Sequence, residues 1–210
     1  SIDGIIASVL KQLPVIIHTD HARKFPDKQH YMFIERLLSR FVSKIIAVSE
    51  ETRRNLIYYE KIKESKLKVV TNGVGRLEVN VANVLKIKEE LGIKANSLVI
   101  GTAVRLEKQK GLIHLIKAVP SILEKYPDIT VVIAGRGSQR EFLIDEVKKA
   151  GLLQTVKFIG PRLDIADFLG MLDIYVLPSE WEGLPMSLLE AMCCKRAIVA
   201  SRVGGIPGAI

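Results

Sequence analysis

Cysteine is nearly absent from this chain: there are two, Cys193 and Cys194, and they are adjacent. Neighbouring cysteines rarely close a disulfide on one another, and no second pair completes a zinc site. A reducing, cytoplasmic compartment is expected. Aromatic residues are also scarce, at 6 % with one tryptophan, and they form no stacking pattern of the kind that single-stranded nucleic acid requires. A basic chain has three natural partners: nucleic acid, an anionic membrane surface or an anionic small substrate. Lysine and arginine outnumber the acids 31 to 23, for a net charge of +8, but they are scattered over amphipathic stretches and not massed in one run. Nucleic acid is therefore not an expected partner. Long apolar runs are missing: the longest, such as residues 98–103 and 129–134, fall far short of the roughly 18–20 that span a bilayer. Ser1-Ile2-Asp3-Gly4 carries an acid and no basic stretch, so no secretory signal is read there. What the charge leaves is a solvated basic surface with a weak attraction for acidic lipid. That suits peripheral contact with an anionic membrane at its inner face.

What is present is the composition of a soluble globular protein, 48 % hydrophobic and 26 % charged over 210 residues, enough for one good core or most of two small ones. Short Val/Ile-rich runs predict strands over residues 15–18, 44–48, 68–70, 98–103, 129–134, 156–159, 174–177 and 197–200. They are apolar on both faces, as buried parallel strands are. Helical patterns lie between them, over residues 50–59, 84–91, 112–125, 140–150, 165–171 and 184–194. Ser49 is placed to cap the first, and Pro120 predicts a kink or a break in the third. The alternation implies an α/β fold of doubly wound parallel, Rossmann-like sheets with right-handed crossovers. The turn Thr71-Asn72-Gly73-Val74-Gly75 separates two such blocks, and the expected domains are residues 1–78 and 79–210. Both ends read as cut: the chain opens within a helical stretch and stops shortly after a glycine loop.

In such sheets, ligands sit beyond the carboxyl ends of the strands, where helix N-termini present free amides. Four places in the second block fit. Arg105 and Lys110 follow the strand 98–103 in Arg-Leu-Glu-Lys-Gln-Lys-Gly; a guanidinium forks onto a phosphate and an ammonium adds a mobile point charge. The same pair alone also reads as an ordinary basic loop. Gly135-Arg136-Gly137 follows the next strand, a partial glycine fingerprint that equally describes a plain turn. The densest signal is Pro178-Ser179-Glu180-Trp181-Glu182-Gly183-Leu184-Pro185-Met186-Ser187-Leu188-Leu189-Glu190-Ala191-Met192. A helix is expected from about Leu184–Pro185, with proline in its first turn. Glu182 then lies on the loop, and Glu190 lies inside the helix in a neighbourhood otherwise suited to burial. Carboxylates repel phosphate, so both are suited to accepting hydrogen bonds from hydroxyls, such as those of a sugar or a ribose. A solvated helix edge or a helix-dipole partner explains each glutamate alone. Val203-Gly204-Gly205-Ile206-Pro207 is the fourth place, a glycine turn open to the same two explanations.

Taken together these segments resemble family 4 of the retaining glycosyltransferases, which have the GT-B fold. The resemblance is carried by Arg105-Leu106 with Lys110-Gly111, Ala134-Gly135-Arg136-Gly137, Phe158-Ile159-Gly160, the Glu182–Glu190 pair (the family's E-x7-E motif) and Gly204-Gly205-Ile206-Pro207. Upstream it continues through Ile45-Ile46-Ala47-Val48-Ser49-Glu50 and Asn72-Gly73-Val74, so it covers nearly the whole chain. It implies that Glu182 contacts the transferred sugar, that Glu190 holds the ribose hydroxyls, and that Arg105 and Lys110 neutralise the leaving diphosphate in place of a metal. The amides of Gly183 and Leu184 would assist, and the base would lie against Gly160, Pro161 and Arg162. In the first block, Thr19-Asp20-His21 resembles the family's Thr-x-His, with His21 facing the donor sugar and His18 as the alternative. The implied substrate is a UDP- or GDP-linked sugar, with no cofactor and no metal. The implied acceptor is a saccharide or a lipid-linked saccharide, in cell-surface polysaccharide or glycolipid synthesis.

The sequence departs from the pattern at Gly208, where the family usually has Glu, and at Gly75, where it often has Asp. The opening strands and glycine-rich loop of the family's first domain, and its final elements, are not among these residues, so activity of this stretch alone is doubted. A non-catalytic nucleotide-sugar-binding module or a degenerate fragment is the competing reading. A nucleotide-sugar epimerase of the same fold is disfavoured by the Glu182–Glu190 context.

Overall fold

A computed structural model of the chain describes residues 2–21, 24–94 and 97–210. It resolves into two compact units. The first comprises residues 1–73, 181–185 and 202–210, and the second residues 74–180 and 186–201.

The first unit holds a parallel sheet of β1 (Ile17–Asp20), β2 (Lys44–Ala47) and β3 (Leu67–Val69), in that order. Helices α1 (Ile2–Leu10), α2 (Gln29–Leu38) and α3 (Glu50–Tyr58) accompany it. Its core gathers Ile5, Val42, Ile45, Ala47, Leu56 and Ile62. Ser49 caps α3 as expected, its hydroxyl accepting the Thr52 N–H at 3.0 Å. Strand β1 starts two residues later than the apolar run suggested, because its parallel register pairs Ile17 with Lys44, the first residue of β2. Helix α2 was not expected at all. None of its residues is fully buried; its inner face reaches the core only through half-buried residues such as Leu38.

The second unit is a five-stranded parallel sheet in the order β6-β5-β4-β7-β8. Its strands are β4 (Leu98–Ala103), β5 (Ile129–Ala134), β6 (Val156–Gly160), β7 (Ile174–Leu177) and β8 (Ala197–Ala200). The helices are α4 (Val81–Glu90), α5 (Leu112–Leu123), α6 (Arg140–Lys149), α7 (Ile165–Met171) and α8 (Met186–Cys193). Every residue of β5 is buried, and all but Thr130, whose hydroxyl meets that of Ser97, are apolar. Leu112, Leu115, Ile116 and Val119 of α5 pack with Val131, Ile133, Leu143 and Val147 to form the core. Asn80 caps α4, and buried Asp167 ties that cap to α7. Its two oxygens accept the Asn80 N–H at 2.7 Å and the Asn83 side-chain amide at 2.8 Å.

One helical expectation is narrowed and one is corrected. Pro120 does not split α5, which runs unbroken from Leu112 to Leu123. Proline removes one backbone bond there, and the buried stripe on its inner face holds the helix together. Helix α8 begins at Met186, not at Leu184 or Pro185. The Gly183 and Leu184 carbonyls are instead engaged by the Gly205 N–H and the Asn72 side-chain amide.

Candidate functional site

From β4 the chain adds β5 and then β6 on one side, and it returns to place β7 on the other side of β4. That reversal makes a topological switch point at the carboxyl ends of β4 and β7, the place where open α/β sheets take their ligands. The loop after β4 ends in a short 3-10 turn, Lys108–Lys110, closed by Gly111 at φ 60°. Its partner is the segment after β7: the Glu180 N–H donates to the Gln109 carbonyl at 2.8 Å. Any side chain on Gly111 would strike the Pro178 carbonyl. Lys110 is thus held at the switch point and is only 8 % exposed. It is a fixed cation and not the mobile loop charge that the sequence suggested.

Arg105 leaves the tip of β4 into solvent and is followed at once by buried Leu106. The Leu106 N–H donates to the Arg136 carbonyl at 2.9 Å, and the Leu106 carbonyl accepts the Gln139 N–H at 2.8 Å. These bonds clamp the loop after β4 to the loop after β5. Glu107 locks the same junction, accepting the Ser138 N–H at 3.0 Å and the Ser138 hydroxyl at 2.6 Å. Those Ser138 bonds, helped by the charge of Arg105, hold the Glu107 carboxyl below its ordinary value.

Between the tips of β4, β5 and β6 lies an open cleft of about 290 Å³, lined by Arg105, Gly135, Arg136, Pro161, Arg162 and Ile165, among others. Arg162 is committed. Its guanidinium donates to both oxygens of Asp164 at 2.8 and 2.5 Å and reaches Glu90 at 3.5 Å. The Asp164 bonds raise Arg162 further above its already high value and hold Asp164 below its own. Arg105 and Arg136 have no carboxylate within ion-pair distance among the described residues. Two guanidinium groups without an ion pair in one cleft have the chemistry to receive an anion, and their planar forks match phosphate. The sequence reading treated Arg136 only as filler between two glycines. Its place at a strand tip, equivalent to that of Arg105, was the available signal.

Gly135 has φ 138°, and a Cβ there would overlap the Val104 carbonyl oxygen; at Gly137 the backbone of Leu106 fills the same space. The room beside these glycines is therefore taken by the protein's own loops, not left for a ligand's approach. The Gly135 N–H donates to the Gly160 carbonyl at 2.8 Å, so the turn Gly160-Pro161-Arg162 is fixed to the glycine turn. Glu190 lies in α8, half-buried, and burial pushes its carboxyl above the ordinary range.

The other expected residues belong to the first unit. His21 follows β1 and is exposed, whereas His18 lines a small internal cavity with Asp20, Glu35 and Glu60. Gly183 packs directly on the His21 carbonyl, and a side chain at Gly183 would occupy the same space. Gly204, at φ 57°, packs on the Glu182 carbonyl, and Gly205 packs on the Gly183 carbonyl and the Ser49 side chain. Glu182 is 8 % exposed within this backbone cluster. So Arg105, Lys110, Gly135, Gly137, Gly160, Pro161, Arg162 and Glu190 sit in one unit, and His21, Glu182, Gly183, Leu184, Gly204 and Gly205 in the other.

Residues 83–210 match the family described as glycosyl transferases group 1, and residues 4–75 match glycosyltransferase family 4. The chain belongs to the glycosyl transferases group 1 family. Its similarity to the UDP-Gal:alpha-D-GlcNAc-diphosphoundecaprenol alpha-1,3-galactosyltransferase of Escherichia coli is 30 % identity, covering 96 % of this chain and 55 % of that enzyme. It is 34 % identical to the lipopolysaccharide core biosynthesis mannosyltransferase LpsB of Rhizobium meliloti, over 56 % of this chain and 35 % of LpsB. Among solved structures, HepE of Anabaena in complex with UDP-glucose superposes with a TM-score of 0.89 at 27 % identity, covering 99 % of this chain and 58 % of HepE. HepE has also been solved with UDP alone. The chain spans about half the length of the curated relatives it matches. Its parallel, Rossmann-like sheets are those of a partial GT-B fold.

Proposed function

We propose that this glycosyl transferases group 1 chain carries the donor site of a retaining, metal-independent glycosyltransferase. The enzyme moves a sugar from a nucleoside diphosphate to a saccharide or lipid-linked acceptor in cell-surface polysaccharide or glycolipid synthesis. One observation carries the reading: uncommitted Arg105 and Arg136 share the cleft at the tips of β4 and β5, beside the switch point that holds buried Lys110. As the bond between the anomeric carbon and the phosphate oxygen breaks, negative charge grows on the diphosphate and positive charge on the sugar ring. Fixed cations that meet the first charge lower the barrier, because it is larger in the transition state than in the bound donor. Glu190, half-buried on α8, accepts hydrogen bonds from the ribose hydroxyls, which supply the polarity that its burial removes. In the first unit, the resemblance gives Glu182 and His21 the role of contacting the transferred sugar. The base lies along Gly160-Pro161-Arg162. UDP is favoured over GDP by the similarity to HepE, solved in complex with UDP-glucose, and to the Escherichia coli galactosyltransferase, whose name specifies UDP-Gal.

Isothermal titration of the protein with UDP and GDP tests the site. Arg105 has no internal ion pair among the described residues, so Arg105→Ala removes a ligand contact without orphaning a buried charge. A hydrogen bond to a charged group is worth about 1.5–3 kcal/mol, so nucleotide affinity should fall about 10- to 150-fold. Equal affinity in the parent and the variant discards this cleft as the diphosphate site.

A further inference from the structure

We propose that Ser138 is a positioning residue of the donor site: it takes both oxygens of the Glu107 carboxylate and thereby keeps Arg105 free for the diphosphate. Arg105 and Glu107 are drawn together by a three-residue turn, in which the Glu107 N–H donates to the Arg105 carbonyl at 2.9 Å. A carboxylate so close to a guanidinium is its natural partner. Left free, Glu107 would pair with Arg105, and an incoming phosphate would have to break that pair. The observed bonds prevent it. The Ser138 N–H donates to one Glu107 oxygen at 3.0 Å, and the Ser138 hydroxyl donates to the other at 2.6 Å. Arg105 lines the cleft with Arg136, whereas Glu107 lines a separate cavity of about 280 Å³ with Lys108, Gln139, Phe142 and Glu180. The carboxylate is thus turned away from the guanidinium two residues before it.

Main-chain packing brings Ser138 to this spot. On one side of it the Gln139 N–H donates to the Leu106 carbonyl; on the other, a Cβ at Gly137 would overlap the Leu106 backbone. Ser138 is therefore fixed between two residues that the loop after β4 already grips. Its hydroxyl suits the task because it is neutral. At the tip of β6, Asp164 and Glu90 are held by Arg162, and that guanidinium is spent in doing so. Serine holds a carboxylate without spending a cation, and among the described residues Arg105 keeps no ion pair. The Ser138 bonds, and after them the charge of Arg105, hold the Glu107 carboxyl below its ordinary value. Glu107 is therefore ionised at neutral pH and would quench Arg105 if released.

The inference deepens the proposed function and rests on its assignment of Arg105 to the diphosphate. Isothermal titration with UDP is the test. Ser138→Ala removes the hydroxyl and leaves the N–H, so one Glu107 oxygen is released toward Arg105. An exposed ion pair is weak, so UDP affinity should fall only about 2- to 5-fold. Raising the salt, which screens such a pair, should shrink the deficit. Ser138→Ala combined with Glu107→Gln leaves no charge to quench the guanidinium, and should recover the affinity that Ser138→Ala alone loses. A bond that merely braced the two loops would behave oppositely, because the second substitution loosens it further. In an Arg105→Ala background, Ser138→Ala should add nothing. Parent affinity in Ser138→Ala, or a combined variant that binds more weakly than Ser138→Ala alone, overturns the proposal. If Arg105→Ala itself leaves UDP binding unchanged, the cleft is not the diphosphate site and the proposal falls with it. If Arg105→Ala weakens binding and Ser138→Ala does not, the cleft stands and Ser138 alone loses its role.

Discussion

Replacing Gly135 with alanine asks whether the loop that carries Arg105 is braced from behind. At φ 138° the backbone of Gly135 lies in a region that is almost glycine-only, and its absent Cβ would fall on the Val104 carbonyl oxygen. Forcing an L-residue into such a region costs about 1–3 kcal/mol. Relieving the overlap means swinging the Val104 peptide away, which endangers the bond from the Val104 N–H to Ala134 at 3.0 Å and that from the Gly135 N–H to Gly160 at 2.8 Å. Losing one of these adds about 0.5–1.5 kcal/mol, for a total of about 2–4 kcal/mol. Gly151→Ala is the matched control: φ is 71° and nothing lies within 4 Å of the new Cβ, so only the left-handed backbone cost of about 1–2 kcal/mol applies. Urea unfolding followed by far-UV circular dichroism measures both. Fluorescence would not serve, because the single tryptophan, Trp181, belongs to the first unit. Gly135→Ala should also weaken UDP binding, since Val104 directly precedes Arg105. If Gly135→Ala costs no more than Gly151→Ala, the Val104 carbonyl is not where this reasoning needs it.

Burial raises the Glu190 carboxyl, so the folded state binds more protons than the unfolded one between the two titrations, and stability falls as pH rises from about 4.3 through the raised folded value. Glu190→Gln should therefore melt higher than the parent at pH 8 and converge with it at acid pH, while binding UDP more weakly; a melting difference independent of pH would contradict the burial argument. Asp167→Ala strands the Asn80 N–H and the Asn83 amide, two bonds to a buried carboxylate worth about 1.5–3 kcal/mol each. Urea titration should show a loss of at least about 2 kcal/mol, and a loss below 0.5 kcal/mol would mean that α4 does not depend on this anchor. Glu182→Ala should lower turnover of a UDP-sugar far more than UDP affinity in a titration, and the opposite split would move Glu182 from the sugar to the nucleotide.

The elements read most accurately from the sequence are those whose residues are dictated by their immediate surroundings. Strands β4, β5, β7 and β8 have the predicted bounds; the first three lie inside the parallel sheet, where most residues are apolar, and edge strand β8 keeps the same Val/Ile signature. Helix α3 declares its start through Ser49. Helix α2 was missed because periodicity reports burial, and its inner face is only half-buried. At the site, Arg105 was legible since a cation just past a buried strand has few structural uses. Lys110 was placed correctly in sequence but not in environment, because the loop that carries it bonds to the segment after β7, some seventy residues away.

The glycines mark where that local logic ends. A sequence shows that a position lacks a side chain, and near a strand tip the natural inference is that a phosphate or a sugar needs the room. Here the vacated volume at Gly111, Gly135 and Gly137 is filled by the carbonyls of Pro178, Val104 and Leu106, and that at Gly183 and Gly204 by those of His21 and Glu182. Each is a place where two backbones meet, so the glycine acts on the neighbouring loop. Gly135 fixes the peptide ahead of Arg105, Gly111 fixes the turn that ends in Lys110, and Gly204 fixes the backbone of Glu182. Substitutions at these positions should thus weaken ligand binding through residues that they do not touch in sequence. The damage should follow the displaced carbonyl, and adding small ligands to the glycine turns themselves should not reproduce it. The functional side chains stay polar and exchangeable while their aim is set by close contacts between main chains, which no single-residue pattern in the sequence encodes.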